Sequence, residues 1–112
     1  MTIVRGVGPD APIVTNERGG KQSATIYRFD LMDPPAMFNL AQVLGYGAEK
    51  YGVDNWRNIT TAEHLNHLLQ HVYAWLAGDR QDNHLGHALC RAMFALAMEL
   101  QGGTPSRRDT SE

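Results

Sequence analysis

The sequence predicts a small all-α domain, a helical bundle with an antiparallel helical hairpin, preceded by an extended N-terminal arm. Apolar residues recur at intervals of three and four over most of residues 27–101. Residues that start helices and glycines that end them stand at the borders of these patterns. A chain of 112 residues suits one domain with a modest core.

Residues 1–26 are expected to form the arm, because glycine and proline interrupt every periodic pattern there. The segment GGKQS contains a Gly-Lys pair, but a phosphate-binding P-loop needs a glycine five positions before that pair. Thr15 stands at that position, so the segment is not a P-loop. Residues 102–112 have the polar composition of a flexible tail.

The first helix is expected to begin after Asp33, which is a good N-cap, with Pro34 and Pro35 in its first turn. Gly52 should end it. Its apolar stripe consists of Met37, Leu40, Leu44, Ala48 and Tyr51.

Two further helices follow, joined by the turn GDRQDN. Thr60 or Thr61 can cap the second, and the third opens near Asn83. Because the connection is short, these helices should pack as an antiparallel hairpin. Their predicted core stripes are Leu65, Leu68, Leu69, Val72 and Leu76, then Leu85, Ala88, Leu89, Ala92, Leu96 and Leu100.

All five histidines lie in the predicted hairpin, in the phrases HLNHLLQH and HLGHALCR. Helical periodicity gathers them into two rows that should flank the leucine core rather than sit inside it. Antiparallel packing should bring His71 close to Asp79, Asp82, His84 and His87, and His64 and His67 close to Arg91.

Imidazole and carboxylate groups that converge at a turn are typical ligands of a divalent cation. Histidines at a helix flank also serve as ordinary hydrogen-bonding groups, and that alternative stays open for each of them. Clustering with Asp79 and Asp82 favours a metal site at the hairpin turn.

The segment GAEKYGVDNWR carries a second candidate constellation. Lys50 and Arg57 can pair with phosphates, while Tyr51 and Trp56 offer flat faces for a base. The alternative is that both aromatic residues are packing anchors. Next to a metal cluster, such a segment favours a nucleoside triphosphate as ligand.

Several classes of protein are disfavoured. A formal charge of −2 argues against polymeric nucleic acid as a partner. No HExxH motif is present, and the lone Cys90 falls at an apolar helical position, where a core role is expected. The sequence shows no secretion signal and no membrane span, so a cytoplasmic protein without a membrane partner is expected.

The runs YRFDLMDPPAMFNLAQVLGYGAEKYGVDNWR and HLLQHVYAWLAGDRQDNHLGHA closely resemble the phage-borne family dATP/dGTP diphosphohydrolase, N-terminal. The resemblance covers residues 27–100. It implies a MazG-like fold and the metal-dependent hydrolysis of purine deoxynucleoside triphosphates to the monophosphate and pyrophosphate, in phage nucleotide metabolism and hence in the host cytoplasm.

The resemblance also implies roles for individual residues, with Mg or Mn as the cofactor. Catalytic roles would fall to His71, Asp82 and Glu49. The metal would be held by Glu49, Asp79, Asp82 and His84. Substrate contacts would come from Lys50, Tyr51, Asn55, Trp56 and Arg57.

The MazG-type ExxE and ExxD pairs are absent from the sequence. The alternative function is therefore a nucleotide sponge, a binder without catalysis that could counteract host defence signalling. A purely structural helical assembly protein is a third hypothesis. Three short helices leave wide apolar faces, which predicts a homo-oligomer with Trp75 and the Met93/Phe94 edge as interface candidates.

Overall fold

The computed structural model describes residues 4–102, and within that range the chain forms two short strands and three α-helices. It divides into two compact units between Asp33 and Pro34. None of the helices in this range has the length and apolar character needed to cross a membrane.

The N-terminal unit contains a β-hairpin. Strand β1 (Ile13–Thr15) pairs antiparallel with β2 (Lys21–Ser23), and Asn16 organises the turn by accepting hydrogen bonds from the backbone of Arg18 and Gly20. The sequence predicted an extended arm but not its pairing, because strands of three exposed residues have no apolar alternation to reveal them. The GGKQS segment runs from the hairpin turn into β2.

The helices are α1 (Pro34–Tyr51), α2 (Thr61–Leu76) and α3 (His84–Leu100), and a short 3-10 helix (Asn55–Asn58) lies between α1 and α2. Their ends follow the predicted signals. Gly52, with φ at 100°, follows α1. The Thr60 side chain accepts a hydrogen bond from the Glu63 backbone, and the Asn83 side chain accepts one from the Gly86 backbone. The all-α prediction is confirmed.

Helices α2 and α3 form the predicted antiparallel hairpin, and α1 packs against α3. Small residues let the helices approach closely at these contacts: Gly86, Ala88, Cys90 and Ala95 of α3 are all buried. Cys90 is therefore the small core residue that the sequence predicted.

The prediction that the leucine stripes form the hairpin core is wrong. The leucines of α2 and α3 that should fill it are between 40% and 67% exposed: Leu65, Leu69, Leu76, Leu85, Leu89, Leu96 and Leu100. Helical periodicity identifies an amphipathic helix but not the surface that its apolar stripe contacts. Among the described residues these seven leucines point away from the contact between α2 and α3, whereas Ala88 of the α3 stripe is buried.

The prediction that the histidine rows flank the core is wrong for His64 and His84. His64 has no exposed surface, and His84 is 8% exposed. Buried imidazole is tolerated where both ring nitrogens have hydrogen-bond partners. Both histidines meet that condition, with partners on neighbouring segments.

Substitution of glycine by alanine should have opposite effects at two helical positions. A Cβ at Gly86 would lie 2.2 Å from Asn83 Nδ2 and 2.5 Å from Asn39 Oδ1. These atoms cannot move freely, because Asn83 caps α3 and its amide donates to Asn39. Gly86→Ala should therefore destabilise the protein by about 1 to 2 kcal/mol.

Gly45→Ala is the matched control, since a Cβ at Gly45 meets no atom within 4 Å. It should stabilise the protein by roughly 0.5 to 1 kcal/mol through helix propensity. Urea unfolding measures both free energies. A Gly86→Ala protein as stable as Gly45→Ala would contradict the described junction of α1 with α3.

Candidate metal and nucleotide site

Three histidines and two aspartates meet where α2 ends and α3 begins. His71 and His84 face each other through their Nδ1 atoms, which are 3.0 Å apart. His84 Nε2 hydrogen-bonds to Asp79, and His87 Nε2 lies 3.6 Å from Asp82 Oδ1. The His71 and His87 rings stack with centroids 4.9 Å apart.

The turn between the helices creates this convergence. Gly78, with φ at 98°, follows α2, and Asn83 caps α3, so His84 becomes the first residue of the new helix. Antiparallel packing then places the last turns of α2 beside the first turns of α3. The predicted approach of His71 to His84 is confirmed.

The donor set suits a divalent cation. Ligand atoms of His71, Asp82 and His84 all lie within 4.8 Å of one another. Two nitrogens that share one ion at about 2.1 Å stand roughly 3 to 3.4 Å apart, and the His71–His84 separation is already close to that value. Two imidazole nitrogens and one carboxylate are ligands that Mn or Zn accept readily.

Asp79 lies on the other side of the His84 ring. It accepts the hydrogen bond of His84 Nε2, which leaves the Nδ1 lone pair directed at His71. A carboxylate that binds the far nitrogen of a metal-ligating histidine fixes the tautomer and the orientation of the ring. Asp79 is thus suited to orient a ligand, whereas the sequence assigned it as a ligand itself.

The cluster also shifts pKa values. The hydrogen bond from His84 holds the pKa of Asp79 below its ordinary value. Burial lowers the pKa of His71, and the neighbouring charges of His87 and His84 lower it further. His71 therefore favours the neutral form, which is the form that binds metal.

A second buried centre lies farther along the hairpin. His64 Nε2 donates to the Trp56 backbone carbonyl at 2.9 Å, and its Nδ1 accepts from Arg91 Nη1 at 3.1 Å. The tautomer follows from Arg91, which can only donate. Burial, more than the nearby charge of Arg91, lowers the pKa of His64. The predicted proximity of His64 to Arg91 is confirmed.

Within the segment GAEKYGVDNWR, Trp56 and Arg57 make packing contacts. The Trp56 ring stacks on Phe94 with centroids 4.5 Å apart, and the Arg57 guanidinium lies 4.2 Å over the ring. Trp56 therefore packs against both Phe94 and Arg57, and a base would have to compete with these contacts for the ring. Arg57 also hydrogen-bonds to Asp54 and Gln101.

The other candidates of this segment lie at the surface. Lys50 Nζ stands 5.1 Å from the centre of the exposed Tyr51 ring, and Asn55 is half-buried at the start of the 3-10 helix. Glu49 is exposed near the end of α1 and does not belong to the metal group found within residues 4–102.

The structure separates this segment from the turn cluster. Trp56 contacts Phe94, which comes ten residues after His84 in α3, an axial distance of about 15 Å. The sequence predicted that this segment and the turn cluster lie within reach of each other, because the order of residues along the chain does not reveal how the helices pack. It also left His87 out of the assigned site, although its spacing from His84 puts both on one side of α3.

A family model described as dATP/dGTP diphosphohydrolase, N-terminal, matches residues 16–108. The chain belongs to this family. The match extends into both units of the fold and includes every residue of the turn cluster. No curated protein and no solved structure matches the chain.

Acidification should destabilise the metal-free protein before any carboxylate is protonated. His64 and His71 have pKa values below their ordinary value in the folded state. Below about pH 6.5, the ordinary histidine value, the unfolded chain binds more protons than the folded one, so the free energy of unfolding should fall.

Urea unfolding with a chelator, from about pH 7.5 to about pH 5.5, measures this change. Stability that stays constant or rises over this range would contradict the assigned neutral state of the His64 and His71 imidazoles.

Proposed function

We propose that the protein hydrolyses dATP and dGTP to the monophosphate and pyrophosphate with a divalent cation, Mg or Mn. The observation that carries the proposal is the convergence of His71, Asp82 and His84 within a chain of the dATP/dGTP diphosphohydrolase family. The family description supports a nucleotide substrate, and the donor set supports a metal that would bind its phosphates.

His71 and His84 would hold the cation through Nδ1, and Asp82 through a carboxylate oxygen. Asp79 would keep the His84 ring in place. The chemistry that a bound divalent ion supplies is neutralisation of phosphate charge, which favours attack by water on the α-phosphorus.

His87 is the best placed residue to accept a proton from the attacking water. Its ring is half-exposed, lies beside Asp82 and stacks on His71, so it borders the cluster without belonging to the ligand group. His71, to which the family resemblance gave a catalytic role, would be committed to the cation through Nδ1. Imidazole side chains commonly transfer protons in reactions near neutral pH.

A bound nucleotide would have to extend well beyond the turn to contact the surface residues Glu49, Lys50, Tyr51 and Asn55. Of these, Lys50 is the candidate for a phosphate contact, since it is exposed and carries the only charge opposite to phosphate in that group. Trp56 and Arg57 would act by holding the segment against Phe94 and Gln101.

A nucleotide-sequestering function is the second candidate. One observation favours it: within residues 4–102 the metal group has a single carboxylate, Asp82. Sites that bind two metal ions on phosphates use the charge of several ligands to hold both ions near a substrate that is itself anionic. A site with two neutral imidazoles could bind a metal nucleotide without hydrolysing it.

We also propose that the protein is a homo-oligomer whose copies cover the exposed leucines. Helical periodicity puts the leucines of α2 and α3 on one flank of the hairpin, so they form a continuous apolar face. Two such faces can pair as a four-helix bundle related by a twofold axis. Phe94, which the sequence names as an interface candidate, stacks on Trp56 within the same chain.

Asp82→Asn tests the hydrolase. The amide oxygen can still accept the hydrogen bond from the Asn83 backbone, so the turn should persist while the negative ligand is lost. In Asp82→Asn the rate of monophosphate formation from dATP and dGTP, with Mg or Mn present, should fall by roughly a hundredfold or more. Chromatography of the products measures this rate.

Asp10→Asn is the matched control, because Asp10 also accepts a backbone hydrogen bond but lies in the N-terminal unit. It should retain full activity. If the unmutated protein binds nucleotide tightly but forms no monophosphate, the sequestering function replaces the hydrolase. Activity undiminished in Asp82→Asn would exclude the turn as the active site.

Replacing Leu69 and Leu96 together by glutamate should dissociate the oligomer, because buried charge in an apolar interface is strongly unfavourable. Sedimentation at tens of micromolar should show the unmutated protein as an oligomer and the double variant as a monomer. Ile13→Glu, at an exposed position of β1, is the control. A monomeric unmutated protein would contradict the proposal.

A further inference from the structure

A small cleft opens beside the buried centre around His64. It has a volume of about 290 Å³ and is lined by Ile59, Glu63, Asn66, His67 and Arg91. That volume lies just below the range of sites that enclose a whole small molecule. The cleft can therefore hold one part of a nucleotide rather than all of it.

The lining decides which part fits. The Glu63 carboxylate would repel a phosphate, and the nearby Arg91 cation disfavours a metal ion. The part of a nucleotide that suits this lining is the base, a neutral, flat group with hydrogen-bond donors on one side and acceptors on another. Glu63 can only accept at neutral pH, Arg91 can only donate, and Asn66 can do both. Ile59 adds an apolar surface.

The cleft and the turn cluster share one flank of the hairpin. His67 precedes His71 by four residues on α2, an axial rise of about 6 Å. Arg91 follows His87 by four residues on α3, and its charge contributes to the lowered pKa of His71. A nucleotide with its phosphates at the turn can thus direct its base along the hairpin toward Glu63 and Arg91.

We propose that this cleft is the base subsite for guanine and that Glu63 determines the preference for it. The Glu63 carboxylate accepts hydrogen bonds from guanine N1–H and from the 2-amino group, and Arg91 or Asn66 donates to O6. Adenine would instead place the N1 lone pair against the carboxylate. The proposal rests on the proposed nucleotide substrate, and it assigns the base to this cleft rather than to Trp56.

His64 is a positioning residue in this arrangement. Its Nδ1 accepts one Arg91 N–H group, while Nε2 anchors the ring to the Trp56 carbonyl. The remaining N–H groups of the Arg91 guanidinium are held at the edge of the cleft, because the planar fork is rigid. The buried histidine thus links the packing of the Trp56 segment to the orientation of a base-binding residue.

Glu63→Gln tests the subsite, with deoxyinosine triphosphate as the probe because it differs from dGTP only by the missing 2-amino group. The substitution keeps the backbone hydrogen bond to Thr60 that caps α2. The unmutated protein should prefer dGTP over deoxyinosine triphosphate in kcat/KM by roughly tenfold to a hundredfold. Glu63→Gln should reduce that ratio to near one, and Glu17→Gln in the N-terminal unit should retain it.

Calorimetry with the corresponding monophosphates separates this proposal from the hydrolase. In one outcome no hydrolysis occurs, but dGMP binds more tightly than dIMP and this preference disappears in Glu63→Gln. That outcome supports the guanine subsite and contradicts the proposed hydrolase activity. If hydrolysis occurs with an unchanged base ratio in Glu63→Gln, the subsite is overturned and the hydrolase stands. No binding of dGTP or dGMP to the full chain would overturn both.

Discussion

The contact between α2 and α3 is the constraint on which the rest of the structure depends, and imidazole groups occupy it. A buried imidazole is stable only if its nitrogens are satisfied. His64 meets this requirement through Trp56 and Arg91, and His84 through His71 and Asp79. These bonds fix the register of the hairpin, and they turn the leucines of both helices toward the outside.

Sequence reasoning predicted the features that depend on short-range chemistry. Caps at Thr60 and Asn83 follow from side chains that accept a backbone hydrogen bond, and the meeting of His71 with His84 follows from antiparallel connection through a short turn. The sequence does not reveal which flank of each helix is buried within the chain, because an apolar stripe has the same period whether it faces a neighbouring helix or another molecule. The two short strands lacked any periodic signal.

In the candidate site, too, the sequence predicted short-range neighbours but not the packing of distant segments. Residues close along the hairpin were grouped correctly, whereas the GAEKYGVDNWR segment was placed beside the metal cluster although Trp56 packs about 15 Å farther along α3. An aromatic ring and an arginine in a loop fit nucleotide binding and internal packing equally well as sequence. Only the contacts of the Trp56 ring with Phe94 and with Arg57 distinguish them.

The two flanks of the hairpin then have separate roles. Helical periodicity places the leucines on one flank and His67, His71, His87 and Arg91 on the opposite one. Association through the leucines would therefore leave the polar flank open to a ligand. It would also stabilise the hairpin that holds the ligands, because a small core contributes little stability and a contact made only in the folded state adds to it. In the proposed oligomer the apolar flank would support the helix pairing, and the polar flank would remain accessible to the proposed metal and nucleotide.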